Sequence, residues 1–239
     1  MSAFLKNLFL VAAFAGVISC SSRDPLDIPK PGSSVTGEQV IATAYAYTQV
    51  TWTPEARHIR HGDDGAGIEV HTPDVSLNRR GFANGWWEAG KEMKGMPYQW
   101  GGFDTPKGFL KSLSEGEFAG DISTKSKRAL GDDGTSSKAC GIDCSGFVSR
   151  CWRLDRPYST KELPAISTEL KSWYHLKAGD ILLNDRHVVI FKEWSQSGKS
   201  ILVYEAGPYP VWRVNAAEIP MKKLEREGYS PRRYVGMKG

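Results

Sequence analysis

A chain of 239 residues that is 40% hydrophobic and 24% charged carries enough apolar material for a packed core, which excludes a disordered tail. The length suits one domain, or one domain with a small extra module. A net charge of +4 decides little by itself, and no Lys/Arg run of the kind that binds nucleic acid appears, so no nucleic-acid partner is expected.

The chain opens with the positively charged stretch Met1–Lys6, and residues 8–18 are apolar and mostly small. Such a run is too short to span a bilayer comfortably and has the layout of a cleaved signal peptide. It ends in Val17-Ile18-Ser19-Cys20, which resembles the lipobox of bacterial lipoproteins. The resemblance implies cleavage after residue 19 and acylation of Cys20. It also implies a cell-envelope location, lipid-anchored to a membrane. Several acyl chains give stable anchoring where one would be marginal. Ser21, where Asp would signal retention, implies the outer membrane in an organism with two membranes. Residues 20–34, with Pro25, Pro29 and Pro31, read as a semi-rigid linker that holds the folded part off the membrane.

Next, Glu38 to Trp52 reads as a helix stopped by Pro54. His58 to Leu77 is turn-rich around Gly62-Asp63-Asp64-Gly65, and Gly85 to Met93 reads as a second helix. A loop with Pro97, Gly101 and Gly102 leads to a polar insertion from Leu110 to Gly141 with little apolar content. From Cys144 the period is helical. Cys144, Phe147, Val148, Cys151 and Trp152 form one buried stripe, with Ser145, Ser149, Arg150 and Arg153 on the other side. Asp143 is a good N-cap, and Pro157 stops the helix. After Gly179 the period shortens. Ile181–Leu183, His187–Trp194 and Ile201–Ala206 read as strands, with Val211–Val214 and Arg233–Val235 as added edges. A helix on an antiparallel meander is an α+β architecture.

Cys144 and Cys151, on one helix, lie about 10 Å apart along its axis, too far for a disulfide, whereas a Cys140–Cys144 bridge is geometrically possible and would block the thiol. An unpaired cysteine in an oxidising compartment is either buried and inert or kept for reactivity. Cys151, inside the apolar stripe, fits the first case. Cys144 fits the second, because free N–H groups and the macrodipole at a helix N-terminus favour a thiolate and can also stabilise an oxyanion. Such a nucleophile needs a base. His187 stands at the head of an apolar strand just after the polar Asn184-Asp185-Arg186 turn. If the next hairpin pairs Trp194 with Ser200, His187 and Glu205 become diagonal neighbours on one face. Glu205 would then orient the imidazole, the third role of a triad.

Gly141-Ile142-Asp143-Cys144-Ser145-Gly146-Phe147-Val148 resembles the nucleophile motif of the NlpC-like family of bacterial cell-wall cysteine peptidases. Pro97-Tyr98-Gln99-Trp100-Gly101-Gly102 is similar to that family's Tyr-x-Trp-Gly-Gly motif. Lys177-Ala178-Gly179-Asp180-Ile181 followed by His187-Val188-Val189-Ile190-Phe191 resembles its Gly-Asp and catalytic-His strands. The motifs cover residues 91 to 206, about half of the chain. The resemblance implies a papain-like fold over residues 91–239, with residues 35–90 as an accessory region. It also implies a hydrolase of amide bonds in peptidoglycan stem peptides, often next to γ-D-glutamyl residues, working without metal or other cofactor. Cys144 and His187 would be catalytic and Tyr98 would lie near the oxyanion. Asp143 and Ser145 would touch the substrate peptide. The chain departs from the family in two respects. The segment between Tyr98 and Cys144 is longer, and the third polar position offers Glu205 where the family commonly has His. A Cys-His-Glu set also occurs in the related cysteine/histidine-dependent amidohydrolases, so an amidase cutting at the sugar–peptide junction stands as the alternative. An inactive wall-binding lipoprotein is a further one. Peptidoglycan peptides are the expected partner and a monomer the expected state.

His58, His61 and His71 have spacing tolerable for a metal, but in a Gly/Asp loop they read as surface histidines. The Gly-Asp-Asp-Gly segments at Gly62 and Gly131 read as turns. Trp86, Trp87 and Trp100 read as core rather than sugar platforms, and His175 as structural.

Overall fold

The computed structural model describes Asp24 and residues 26–239; the signal segment and Cys20 lie outside the described residues. Helix α1(Gly37–Thr48) starts where Thr36 Oγ1 accepts from Gln39 N–H at 3.3 Å and Gln39 Oε1 accepts from Thr36 N–H at 3.0 Å. This reciprocal capping box satisfies two otherwise orphaned donors. Val40, Ala44 and Tyr47 form its buried stripe. The helix expected to run to Trp52 ends at Thr48, and Thr51–Trp52 instead pairs antiparallel with Met93–Lys94. The β-branched residues Thr48, Val50 and Thr51 favour that extended exit.

The second expected helix, Gly85 to Met93, is absent, and the segment is held in turns and bridges. Trp87 bridges in parallel to Asp74, and Trp86 N–H donates to Pro73 O at 2.8 Å. At Gly85 an added Cβ would sit 2.0 Å from the Pro73 carbonyl, so only glycine allows the close approach. Here long-range pairing overrides a helical pattern.

The polar insertion is also ordered. It holds α2(Pro106–Glu115), begun by Thr105 as N-cap and Pro106 at the first position, and α3(Lys125–Leu130), capped by Thr124. Phe118–Ala119 pairs in parallel with Ala139–Cys140. Phe109, Leu113 and Ile122 are buried. So are Asp121 and Lys127, whose Oδ2 and Nζ lie 2.6 Å apart with side chains 0% and 3% exposed. Much of what this insertion buries is polar, so its low apolar content hid its order.

Helix α4(Cys144–Cys151) packs centrally. Phe147 and Val148 are fully buried, each contributing about 2 kcal/mol by leaving water. The side expected to face solvent is mostly buried too. Ser145 and Ser149 are enclosed, and Ser149 Oγ donates to Ser145 O at 2.8 Å while accepting Tyr158 N–H at 3.0 Å. The helix ends before Pro157, because Arg153 takes a left-handed φ of 62°.

Six antiparallel strands form the main sheet: β1(Ser167–Glu169), β2(Ile181–Leu183), β3(Val188–Trp194), β4(Ser200–Gly207), β5(Arg213–Pro220) and β6(Ser230–Tyr234). Their spatial order is β5-β4-β3-β2-β6-β1. Strand β6, expected at an edge, is therefore interior, and β1 takes the edge. Period-two alternation divides the strands between two cores. Val188 and Ile190 of β3 belong to the core shared with α4, whereas Val189 and Phe191 join Leu176, Leu182 and Leu224 on the other face. The fold is thus α+β with an antiparallel sheet.

Residues of the expected accessory region share the first core: Val40, Tyr47, Val50, Trp52 and Trp87 pack in one cluster with Met96, Cys144 and Trp212. The described part of the expected linker lies on the same body. Leu26 and Ile28 pack against the core, and Arg153 Nε donates to Lys30 O at 2.9 Å. Val35–Thr36 pairs in parallel with Met237–Lys238. Among the described residues no helix is long and apolar enough to cross a membrane.

Candidate active site

The nucleophile candidate is fixed by its cap. Asp143 Oδ1 accepts from Gly146 N–H at 2.6 Å and from Ser145 Oγ at 3.0 Å, and Oδ2 accepts from Gly101 N–H at 3.1 Å. Asp143 thereby ties the start of α4 to the Trp100-Gly101-Gly102 turn. Burial pushes its carboxyl up, and the hydrogen bonds from Gly146, Ser145 and Gly101 pull it back. At Gly146 a Cβ would lie 2.3 Å from Gly102 O, so the turn can lie against the helix only because that residue is glycine. Cys144, 7% exposed, occupies the first helical position, where its N–H has no intrahelical acceptor.

His187 is set by the strand-end turn. Its N–H donates to Asn184 Oδ1 at 2.8 Å, and its carbonyl accepts from Asn184 N–H at 3.0 Å. At the sheet, Ile190 opposes Tyr204 and Phe191 opposes Val203. Continued towards the site, this register puts Val189 opposite Glu205 and His187 diagonally beside it. At the far end of the hairpin Trp194 opposes Ile201, not Ser200 as expected. Lys192 is an extra residue on β3, and this bulge absorbs the one-residue difference. Hence the register at the His187 end is the expected one.

The outcome is a close pair: His187 Nε2–H donates to Glu205 Oε2 at 2.7 Å, with both side chains 12% exposed. Nδ1 is buried and has no partner of ordinary hydrogen-bond geometry. The Cys144 thiol lines the same cleft and acts on the charge of the ring. With Nε2 engaged by Glu205, Nδ1 is the nitrogen left for sulfur. Burial works against the imidazolium, but the charge and hydrogen bond of Cys144, then those of Glu205, outweigh it and raise the ring to about 10. A Cys-His pair of this kind can supply a sulfur nucleophile beside a proton donor.

Tyr98 is buried beside them. Burial and then the charges of Cys144 and Asp143 hold its hydroxyl well above the usual phenol range, against a hydrogen bond with Ser123. It therefore stays a neutral donor near the sulfur. Tyr229 stands edge-on to the His187 ring, centroids 6.5 Å apart at 87°, its hydroxyl also pushed up by burial and by the charges of Glu205 and Cys144. All of these groups line one cleft of about 940 Å³, together with Ser145, Trp100 and Arg128.

The structure therefore brings together Cys144, His187, Glu205, Tyr98, Asp143 and Ser145, while Cys20 lies outside the described residues. Sequence reasoning missed Tyr229, Ser123 and Arg128. No motif surrounds Tyr229, and the other two lie in the insertion whose order was not foreseen. Cys140, Cys144 and Cys151 are free thiols, and burial pushes Cys140 and Cys151 well above the usual thiol range. The histidines expected at the surface differ from one another. His58 is buried, its Nδ1 accepting Glu55 N–H at 2.9 Å, and His61 and His71 stack with centroids 5.9 Å apart. Among the described residues no group of three or more His, Cys, Asp or Glu is placed to hold a metal. Trp87 is core, Trp86 is half-buried with Nε1–H donating to Trp212 O at 2.8 Å, and Trp100 faces the cleft.

No family model, curated protein or solved structure matches this chain.

Proposed function

We propose that this chain is a thiol hydrolase of the NlpC-like kind, with a papain-like fold, that cleaves amide bonds in peptidoglycan stem peptides. The observation that carries the reading is the Cys144 thiol at a helix N-terminus against an imidazole hydrogen-bonded to Glu205 at 2.7 Å. In the reaction the Cys144 thiolate attacks the amide carbonyl, and the oxyanion is met by the Cys144 N–H and the Tyr98 hydroxyl. The His187 imidazolium gives its proton to the leaving amine, forming a thioester. His187 then takes a proton from water, which attacks the thioester, releases the acid and restores the thiolate–imidazolium pair. Glu205 holds the ring in place throughout. The peptidoglycan substrate rests on the three motifs and their order, and the envelope lipoprotein, anchored through Cys20, on the lipobox. A monomer is the proposed state.

The Glu205–His187 hydrogen bond also favours a second reading, an amidase of the Cys-His-Glu type acting at the sugar–peptide junction. Digestion of purified sacculi followed by mass spectrometry separates the two, since cuts inside the stem release short peptides and the amidase releases whole stems from the glycan. Cys144→Ala is expected to abolish either product. Undiminished cleavage in that variant would sink the mechanism, and sacculus binding without product or Cys144 alkylation would leave a wall-binding module.

A further inference from the structure

The insertion between the Tyr98 motif and Cys144 contributes one wall of the cleft. Helix α3 is fastened there by its buried side. Lys127 Nζ lies 2.6 Å from Asp121 Oδ2 and donates to Gly134 O at 3.0 Å, and Asp121 N–H donates to Tyr98 O at 2.9 Å. Trp100 Nε1–H donates to Gly131 O at 3.2 Å, so the turn after α3 is tied to the same wall. The residue that follows Lys127 is Arg128. Its guanidinium donates from Nη1 to Ser123 Oγ at 2.8 Å, and Ser123 lines the cleft with Tyr98 and Cys144. An arginine presents five N–H donors in a planar fork, and this bond uses one. Among the described residues no carboxylate lies within ion-pair distance of Arg128, although Asp132 lines the same cleft. Arg186, a cation at the cleft, lies 3.6 Å from Asp185.

We infer that Arg128 is a specificity-determining residue that binds a free carboxylate of the peptide substrate while the scissile amide lies at Cys144. The inference rests on the stem-peptide reading and goes further, because such peptides carry free carboxylates at a glutamyl residue and at the C-terminus. A planar guanidinium held by one edge offers the remaining N–H groups to a carboxylate as paired donors, and a carboxamide cannot accept them equally.

The test uses the full chain and synthetic γ-D-glutamyl stem peptides, made as free acids or with the glutamyl or the C-terminal carboxylate separately replaced by carboxamide. The wild type is expected to favour the free acid over one of the carboxamides by about tenfold in kcat/KM, chiefly through KM, the low end for a charge-assisted hydrogen bond because Arg128 is exposed. Arg128→Gln should erase that discrimination while leaving the iodoacetamide alkylation rate of Cys144 unchanged, and Arg128→Lys should restore part of it. Cleavage with equal rates on all three peptides, or discrimination that survives Arg128→Gln, overturns the role of Arg128 alone. If the wild type cleaves none of the peptides although Cys144 alkylates rapidly, the stem-peptide reading falls and the Arg128 assignment falls with it.

Discussion

The charge state of His187 is the most direct handle on this site, and Glu205→Gln isolates one of its supports. The rise from 6.5 to about 10 amounts to about 5 kcal/mol in favour of the imidazolium, at about 1.4 kcal/mol per unit. That balance is already net of burial, which opposes the charge; Cys144 then contributes more than Glu205. Gln keeps the shape of Glu205 and one acceptor but loses the charge. A charge-assisted hydrogen bond of this kind contributes about 1.5–3 kcal/mol, so the variant should titrate about one to two units lower. Cys144→Ala should lower the midpoint further, because it removes the larger support and leaves burial in place. Nitrogen NMR of the imidazole across pH reads the midpoint directly in all three proteins. A Glu205→Gln midpoint equal to wild type, or one shifted more than in Cys144→Ala, would refute the assignment of these supports. The same shift sets a stability window. Since the folded value exceeds 6.5, the contribution is complete below about pH 6.5 and lost as pH rises through about 10. In Glu205→Gln that loss should start at the same pH but finish at lower pH, as urea denaturation between pH 6 and 10 would record.

Two further substitutions probe the scaffold. Asp143→Ala removes the cap of α4 and its tie to Gly101, and should cost about 1–2 kcal/mol in urea denaturation, whereas Asp143→Asn, itself a good cap, should cost clearly less. Lys127→Met leaves Asp121 buried without its counter-ion, at a cost of about 3–5 kcal/mol at pH 8. Burial raises the Asp121 carboxyl to about 7, against the pull of Lys127, so at pH 5 the acid is neutral and the penalty should shrink; equal losses at both pH values would contradict this.

That Cys144, His187 and Glu205 come together could be read from the chain because each sits in a strong local pattern. Cys144 begins a helical stripe after a capping Asp143, and His187 heads an alternating strand. Glu205 followed from the hairpin register, and the wrong pairing assumed at Trp194 did no harm only because of Lys192. Local patterns failed where distant contacts decide. Gly85–Met93 carries helix-compatible residues, yet Trp87 is drawn into a bridge with Asp74. Residues 110–141 lacked apolar residues because Asp121, Ser123, Thr124, Lys127 and Ser136 are buried there instead. Tyr229 meets His187 only through the position of β6 between β2 and β1, an order that sequence periodicity does not carry.

The bulge at Lys192 separates the two ends of the β3–β4 hairpin. On the turn side, around Ser195–Lys199, pairing is offset by one residue from the cleft side, and the mismatch is confined to a single position. Such a joint keeps the spacing of the outer loop from reaching the paired residues near the cleft. Deleting Lys192 would merge the two registers into one, with Phe191 still opposite Val203 and Glu193 opposite Leu202, so His187 and Glu205 should keep their diagonal placement while the local kink is lost.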